Sequence, residues 1–81
     1  MGAPITVYTT PNCVQCVATK RALQDAGLDF ETVDVTSDPE AMQTVLQLGY
    51  QQAPIVTVDA TGEHWSGIRP DRIAAQEAVT V

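Results

Sequence analysis

The sequence predicts an α/β domain, a four-stranded mixed sheet flanked by three helices in the order β-α-β-α-β-β-α. Two observations carry that prediction. Short β-branched runs alternate with segments rich in Ala, Leu, Gln, Lys and Arg, and strands separated by helices pair in parallel through crossovers. Later in the chain, two such runs are separated only by Asp59-Ala60-Thr61-Gly62, a turn cluster that predicts an antiparallel hairpin. A chain of 81 residues is expected to form one domain, 1–81, with a small core.

Ile5-Thr6-Val7-Tyr8-Thr9 is β-branched and aromatic and alternates, so it reads as the first strand. Thr10-Pro11-Asn12 breaks it, and Asn12 is a good helix N-cap. A helix from about Cys13 to Ala26 follows. Thr19, Ala22, Leu23 and Ala26 form its inward stripe, and one further step of three residues reaches back to Cys16, not to Cys13. Gly27 ends the helix. Phe30-Glu31-Thr32-Val33-Asp34-Val35 is the second strand, parallel to the first. The next helix start has two readings: Ser37 and Glu40 form a capping box, or Asp38 caps with Pro39 as the first helical residue. Met42, Val45 and Leu46 are the expected inner face, with Gly49 at the end. The loop Gln51-Gln52-Ala53-Pro54 leads into Ile55-Val56-Thr57-Val58, whose unbroken β-branched character predicts burial. Glu63-His64-Trp65-Ser66 is the return strand. Pro70 suits the first turn of a last helix through about Ala78, with Ile73 and Ala74 inward, and residues 79–81 are expected to be a frayed tail.

Ten Asp and Glu against four Lys and Arg give a formal net charge of −6. Phosphate backbones and anionic membrane surfaces repel such a chain, so neither nucleic acid nor a membrane is expected as a partner. A protein with a basic docking face fits better. No apolar run approaches the ~20 residues of a membrane span. Met1-Gly2-Ala3-Pro4 shows neither a basic n-region nor an apolar h-region, so a cytoplasmic protein is expected. In that reducing compartment a close cysteine pair is catalytic or metal-binding more often than structural.

The chain has two cysteines, Cys13 and Cys16, flanking Val14 and Gln15. At i and i+3 on one helix face, they fall within the ~4.4–6.8 Å Cα separation that a disulfide requires. Thiol–disulfide exchange needs an exposed thiolate to attack and a second thiol to release the product. Cys13, at the helix N-terminus, faces unpaired N–H groups and the positive end of the dipole, which pull its pKa below the free value of ~8.5. Cys16 lies on the inward stripe, shielded from an incoming disulfide. Cys13 is therefore the expected nucleophile and Cys16 the resolving thiol, forming a redox-active disulfide with no bound cofactor or metal. Lys20 either adds modest positive potential or is a solvated helix lysine. An inert buried pair needs no such spacing. A zinc site needs four ligands, and two Cys with one distant His64 supply them only in a dimer.

Pro54, directly before a buried strand, is either an ordinary trans residue or the cis proline that exposes the Ala53 backbone to a substrate peptide. Trp65 by periodicity is a packing residue, His64 an exposed hairpin residue, and Ser66 and Asp71 tie down the loop before the last helix. The first strand holds no carboxylate, so proton removal from Cys16 runs through water or another group.

Cys13-Val14-Gln15-Cys16, Gln52-Ala53-Pro54 and Trp65-Ser66-Gly67-Ile68-Arg69-Pro70-Asp71 together make the chain resemble the NrdH-redoxin family, glutaredoxin-like in sequence and thioredoxin-like in activity. The resemblance runs from about Ile5 to Ala75 and implies a thioredoxin-like fold. It implies a monomeric hydrogen donor to class Ib ribonucleotide reductase, at its large subunit, re-reduced by thioredoxin reductase with NADPH and not by glutathione. Cys13 and Cys16 match the family's dithiol and Pro54 its cis-proline. Val14, Gln15, Ala53 and the segment Trp65, Ser66, Gly67, Ile68, Arg69 and Pro70 match positions that meet a partner. Ile68 stands where the family usually has Phe, which puts the strength of that docking in question. The competing reading, a glutathione-dependent glutaredoxin, usually has Cys-Pro-Tyr-Cys and an acidic Gly-Gly loop. Here Ser66-Gly67-Ile68-Arg69-Pro70 stands in place of that loop, with Arg69 where an acid would help.

Overall fold

The computed structural model describes residues 5–59 and 61–80. The elements follow in the expected order: β1 (Ile5–Thr9), α1 (Val14–Asp25), β2 (Glu31–Asp34), α2 (Pro39–Gln47), β3 (Ile55–Val58), β4 (Glu63–Ser66) and α3 (Pro70–Thr80). The four strands form one sheet in the order β2-β1-β3-β4. β1 pairs in parallel with β2, while β1–β3 and β3–β4 are antiparallel. This is a thioredoxin-like fold.

Alternation sorts the strand side chains onto two faces. Ile5 and Val7 of β1, Val56 and Val58 of β3 and Trp65 of β4 point to one face, where they pack with Leu23 of α1, Leu28 and Ile73 of α3. Tyr8, Val33 and Ile55 belong to the other face, which α2 covers through Ala41 and Val45. The cysteine helix therefore rests on the larger cluster, with Leu23 completely buried beneath it. Burying a leucine contributes roughly 1.5–3 kcal/mol.

Both long loops after helices close in the same way. The Leu28 N–H donates to the Leu23 carbonyl and the Gly27 N–H to the Gln24 carbonyl; Tyr50 and Gly49 repeat the pair on Val45 and Leu46. Each is a Schellman turn, and it requires the left-handed backbone that Gly27 (φ 73°) and Gly49 (φ 90°) adopt.

Four expectations are corrected. Asn12 does not cap α1. It takes a left-handed conformation (φ 60°), which reverses the chain so that Cys13 becomes the cap. On α2, Met42 and Leu46 are exposed and Ala41 and Val45 are buried, because small Ala41 lets the helix approach the sheet along that line. Ala74 faces solvent; only Ile73 of that pair is inward. α3 continues through Thr80, since no Gly or Pro follows Ala78 to stop it; Val81 lies outside the described residues. Of the two readings for α2, Asp38 is the cap, with Pro39 starting the helix.

Candidate active site

The register places the site. Tyr8 of β1 lies opposite Ile55 of β3, and Ile55 opposite Ser66 of β4. The chain leaving β1 toward Cys13, the chain entering β3 through Pro54 and the chain leaving β4 through Gly67 therefore meet at one end of the sheet. Thr9 pairs there with Asp34, so the N-termini of α1, α2 and α3 all start from that end.

Cys13 precedes the first helical residue in extended conformation (φ −97°, ψ 107°), and its Sγ accepts the Cys16 N–H at 3.1 Å. The sulfur thus occupies the position where a helix usually carries Ser, Thr or Asp. No acidic residue stands in the first turn of α1, so no side chain of that turn competes with the sulfur for the positive end of the helix. Cys13 is half-buried, while Cys16 is only 2% exposed, on the inward stripe with Thr19 and Leu23. The two cysteines are joined as a disulfide with a Cα–Cα separation of 5.2 Å. That separation lies within the ~4.4–6.8 Å window that a disulfide requires, as the helical spacing of the pair leads one to expect.

An open cleft of about 570 Å³ borders the sulfurs, lined by Thr9, Thr10, Pro11, Asn12, Cys13, Val14, Cys16, Val17, Lys20 and Asp34. Lys20 is the cation of this cleft and Asp34 its carboxylate. The Thr36 hydroxyl, with help from its N–H, holds Asp34 below the usual carboxylate range. Val14 is 83% exposed and Val17 60%, an apolar step beside the disulfide one turn apart. Neither Val17 nor Thr10 stands out in the sequence as a residue of the site. The spacing from Val14 to Val17 was the available signal for the first.

The Ala53–Pro54 peptide bond is cis. Pro54 is itself fully buried, and its carbonyl accepts the Gly67 N–H at 2.9 Å. That bond extends the β3–β4 ladder by one step and fastens the Trp65–Pro70 segment to the Pro54 loop. Trp65 is 3% exposed, packed in the core with the Arg72 guanidinium 5.7 Å from its ring centre. Any part it plays in docking runs through the loop it anchors. Ser66 and Gly67 are half-buried, and Ile68, Arg69 and Pro70 are exposed. Arg69 reaches over Asp71 with two contacts, 3.3 and 3.2 Å, and chiefly through that hydrogen bond lowers the Asp71 pKa. His64, exposed as expected, has its Nδ1 2.7 Å from the Tyr50 hydroxyl. Among the described residues, no group of three or more His, Cys, Asp or Glu is placed to hold a metal ion, and no helix is long and apolar enough to cross a membrane.

A family model described as Glutaredoxin matches residues 5–65. The glutaredoxin-like protein NrdH of Escherichia coli K12 is 48% identical over 69 residues, which is 85% of this chain and 83% of that protein. The glutaredoxin-like protein NrdH of Lactococcus lactis IL1403 is 33% identical over 70 residues, 86% of this chain and 94% of that one. Among solved structures, the NrdH-redoxin of Escherichia coli superposes with a TM-score of 0.81 at 45% identity, over 88% of this chain and 91% of that one. A buckwheat glutaredoxin solved with glutathione superposes with a TM-score of 0.67 at 24% identity, over 96% and 71% of the two chains, a likeness of fold alone.

Proposed function

The chain belongs to the glutaredoxin family, among its NrdH proteins, as a thiol–disulfide oxidoreductase, and on that premise we propose that it carries electrons in the cytoplasm to class Ib ribonucleotide reductase and is re-reduced by NADPH-dependent thioredoxin reductase. The observation that carries the reading is the asymmetry of one helix tip: a half-buried sulfur held by a helix N–H, and a second, shielded sulfur one turn below it. Cys13 attacks the target disulfide as a thiolate, forms a mixed disulfide and releases one target thiolate. Cys16 then attacks the Cys13 sulfur, closes the Cys13–Cys16 disulfide and frees the second target sulfur. Two electrons pass to the target, and two protons end on its thiols.

The partner meets Val14, Gln15, Val17 and Ile68, which are exposed around the tip, and the backbone at Ala53. The thioredoxin-like activity profile ascribed to the Escherichia coli NrdH-redoxin supports thioredoxin reductase as the electron source. So does Arg69, a cation in the loop where a glutathione site needs an acid. An NADPH-oxidation assay with a protein disulfide tests the reading. Turnover is expected with thioredoxin reductase and not with glutathione plus its reductase; turnover with glutathione alone would overturn it.

A further inference from the structure

Thr19 is completely buried, and its Oγ1 has no hydrogen-bond partner among the described residues. A buried hydroxyl left unpaired is costly, so a native one calls for a reason. The usual outlet, the carbonyl one turn back, is not taken. In α2 the hydroxyl of Thr44 donates to the Glu40 carbonyl one turn back, at 3.0 Å, whereas Thr19 makes no such bond in α1. Two other buried polar atoms lack partners among the described residues, Trp65 Nε1 and Arg72 Nε, and both belong to the stacked Trp65–Arg72 pair. Thr19 alone of the three sits on the cysteine helix.

Its position on that helix is specific. Thr19 follows Cys16 by three residues on the same buried stripe, and helical side chains lean toward the preceding turn, so Thr19 lies over Cys16. Cys16 has no carboxylate on β1 to assist it. The structure holds the disulfide, in which the Cys16 sulfur carries no charge and is a poor acceptor. In this oxidised form the hydroxyl is unpaired.

We propose that Thr19 donates a hydrogen bond to the Cys16 sulfur in the dithiol form and thereby promotes the resolving step. The inference rests on Cys16 being the resolving thiol, as argued above. The bond stabilises the thiolate that attacks the mixed disulfide. No proton passes from Thr19: the Cys16 proton leaves through solvent and the departing target thiolate takes one up. When the sulfur–sulfur bond closes, the charge disappears and the hydroxyl loses its acceptor.

The test uses Thr19→Val, which keeps the shape and removes the hydroxyl, and Thr19→Ser, which keeps the hydroxyl. Each is placed in a Cys13→Ser chain, so that Cys16 is the sole thiol, and its alkylation rate is followed against pH. Lys20 and Asp34, the charged groups of the adjoining cleft, are the same in every variant. Thr19→Val is expected to move the Cys16 titration upward by about one pH unit, a tenfold loss of thiolate, with Thr19→Ser restoring the original profile. Identical profiles for Thr and Val would overturn the proposal. A second measurement needs no variant: the Thr19 Cβ resonance of the reduced wild-type chain should follow the ionisation of Cys16 and be flat in the disulfide form. A flat signal in both forms would equally overturn it. Neither measurement involves a reductase or a target protein, so failure here leaves the electron-donor reading to its own assay.

Discussion

The N-termini of α1 and α2 start from the same end of the sheet, and each is closed by one side chain in extended conformation. Cys13 does it at φ −97°, ψ 107°, and Asp38 at φ −128°, ψ 99°. Asp38 Oδ1 accepts the N–H groups of Glu40 and Ala41 at 3.1 and 3.2 Å, and Cys13 Sγ accepts the Cys16 N–H. Both helices end in the same glycine-dependent turn. The difference lies in what the cap is made of. Asp38 caps with a carboxylate, joined by Glu40 in the first turn. Cys13 leaves the same electrostatic position to an atom that gains and loses its charge as a bond opens and closes. The pairing teaches that the redox tip is an ordinary helix cap with a reactive atom in the acceptor's place.

The sharpest break between the two caps comes from exchanging the reactive atom alone. Cys13→Ser keeps a capping oxygen, so the reduced protein should match the reduced wild type in urea midpoint while reduction of a target disulfide falls to background. Cys16→Ser should still attack and should accumulate the mixed disulfide, visible by mass spectrometry. The reverse pattern would exchange the roles of the two thiols.

The supports beneath the two helices differ next. Leu23→Ala under α1 should cost about 2–5 kcal/mol and Val45→Ala under α2 less, because Leu23 is fully enclosed by the larger cluster. Urea midpoints measure both, and equal losses would mean that the two faces are packed alike. Smaller again, Asp38→Ala should cost about 1 kcal/mol, or roughly 4–8 °C in melting temperature, with the exchange rate unchanged. A change in that rate would mean that the two helix tips are coupled.

The smallest effect concerns acid. Asp34 and Asp71 are held below the ordinary carboxylate range, by Thr36 and Arg69 respectively. A lowered folded-state pKa means that the unfolded chain takes up the proton first as pH falls. That stabilisation is complete above the unfolded carboxylate range and is lost as pH drops through the folded values. Asp71 is exposed and Asp34 only half-buried, so solvent screening keeps the loss small. Urea midpoints between about pH 5 and about pH 3 should fall slightly less for Asp71→Asn than for the wild type.

The sequence by itself determined the element order, the strand bounds of β1, β3 and β4, and the identity of the outward and inward cysteines. Each followed from a local rule: alternation for strands, the threefold-fourfold step for the buried stripe, glycine after the last helical turn. What it left open is equally local in appearance but not in cause. Asn12 was the expected cap of α1, and the left-handed turn by which the chain leaves β1 gave that place to Cys13. Met42 and Leu46 are more apolar than Ala41, yet Ala41 is inside, because burial on a nine-residue helix depends on which line meets the sheet. The unpaired hydroxyl of Thr19 likewise could not be read from a string of residues. A threonine's partners depend on the rotamer that packing imposes, and packing exists only once the helix lies on the sheet.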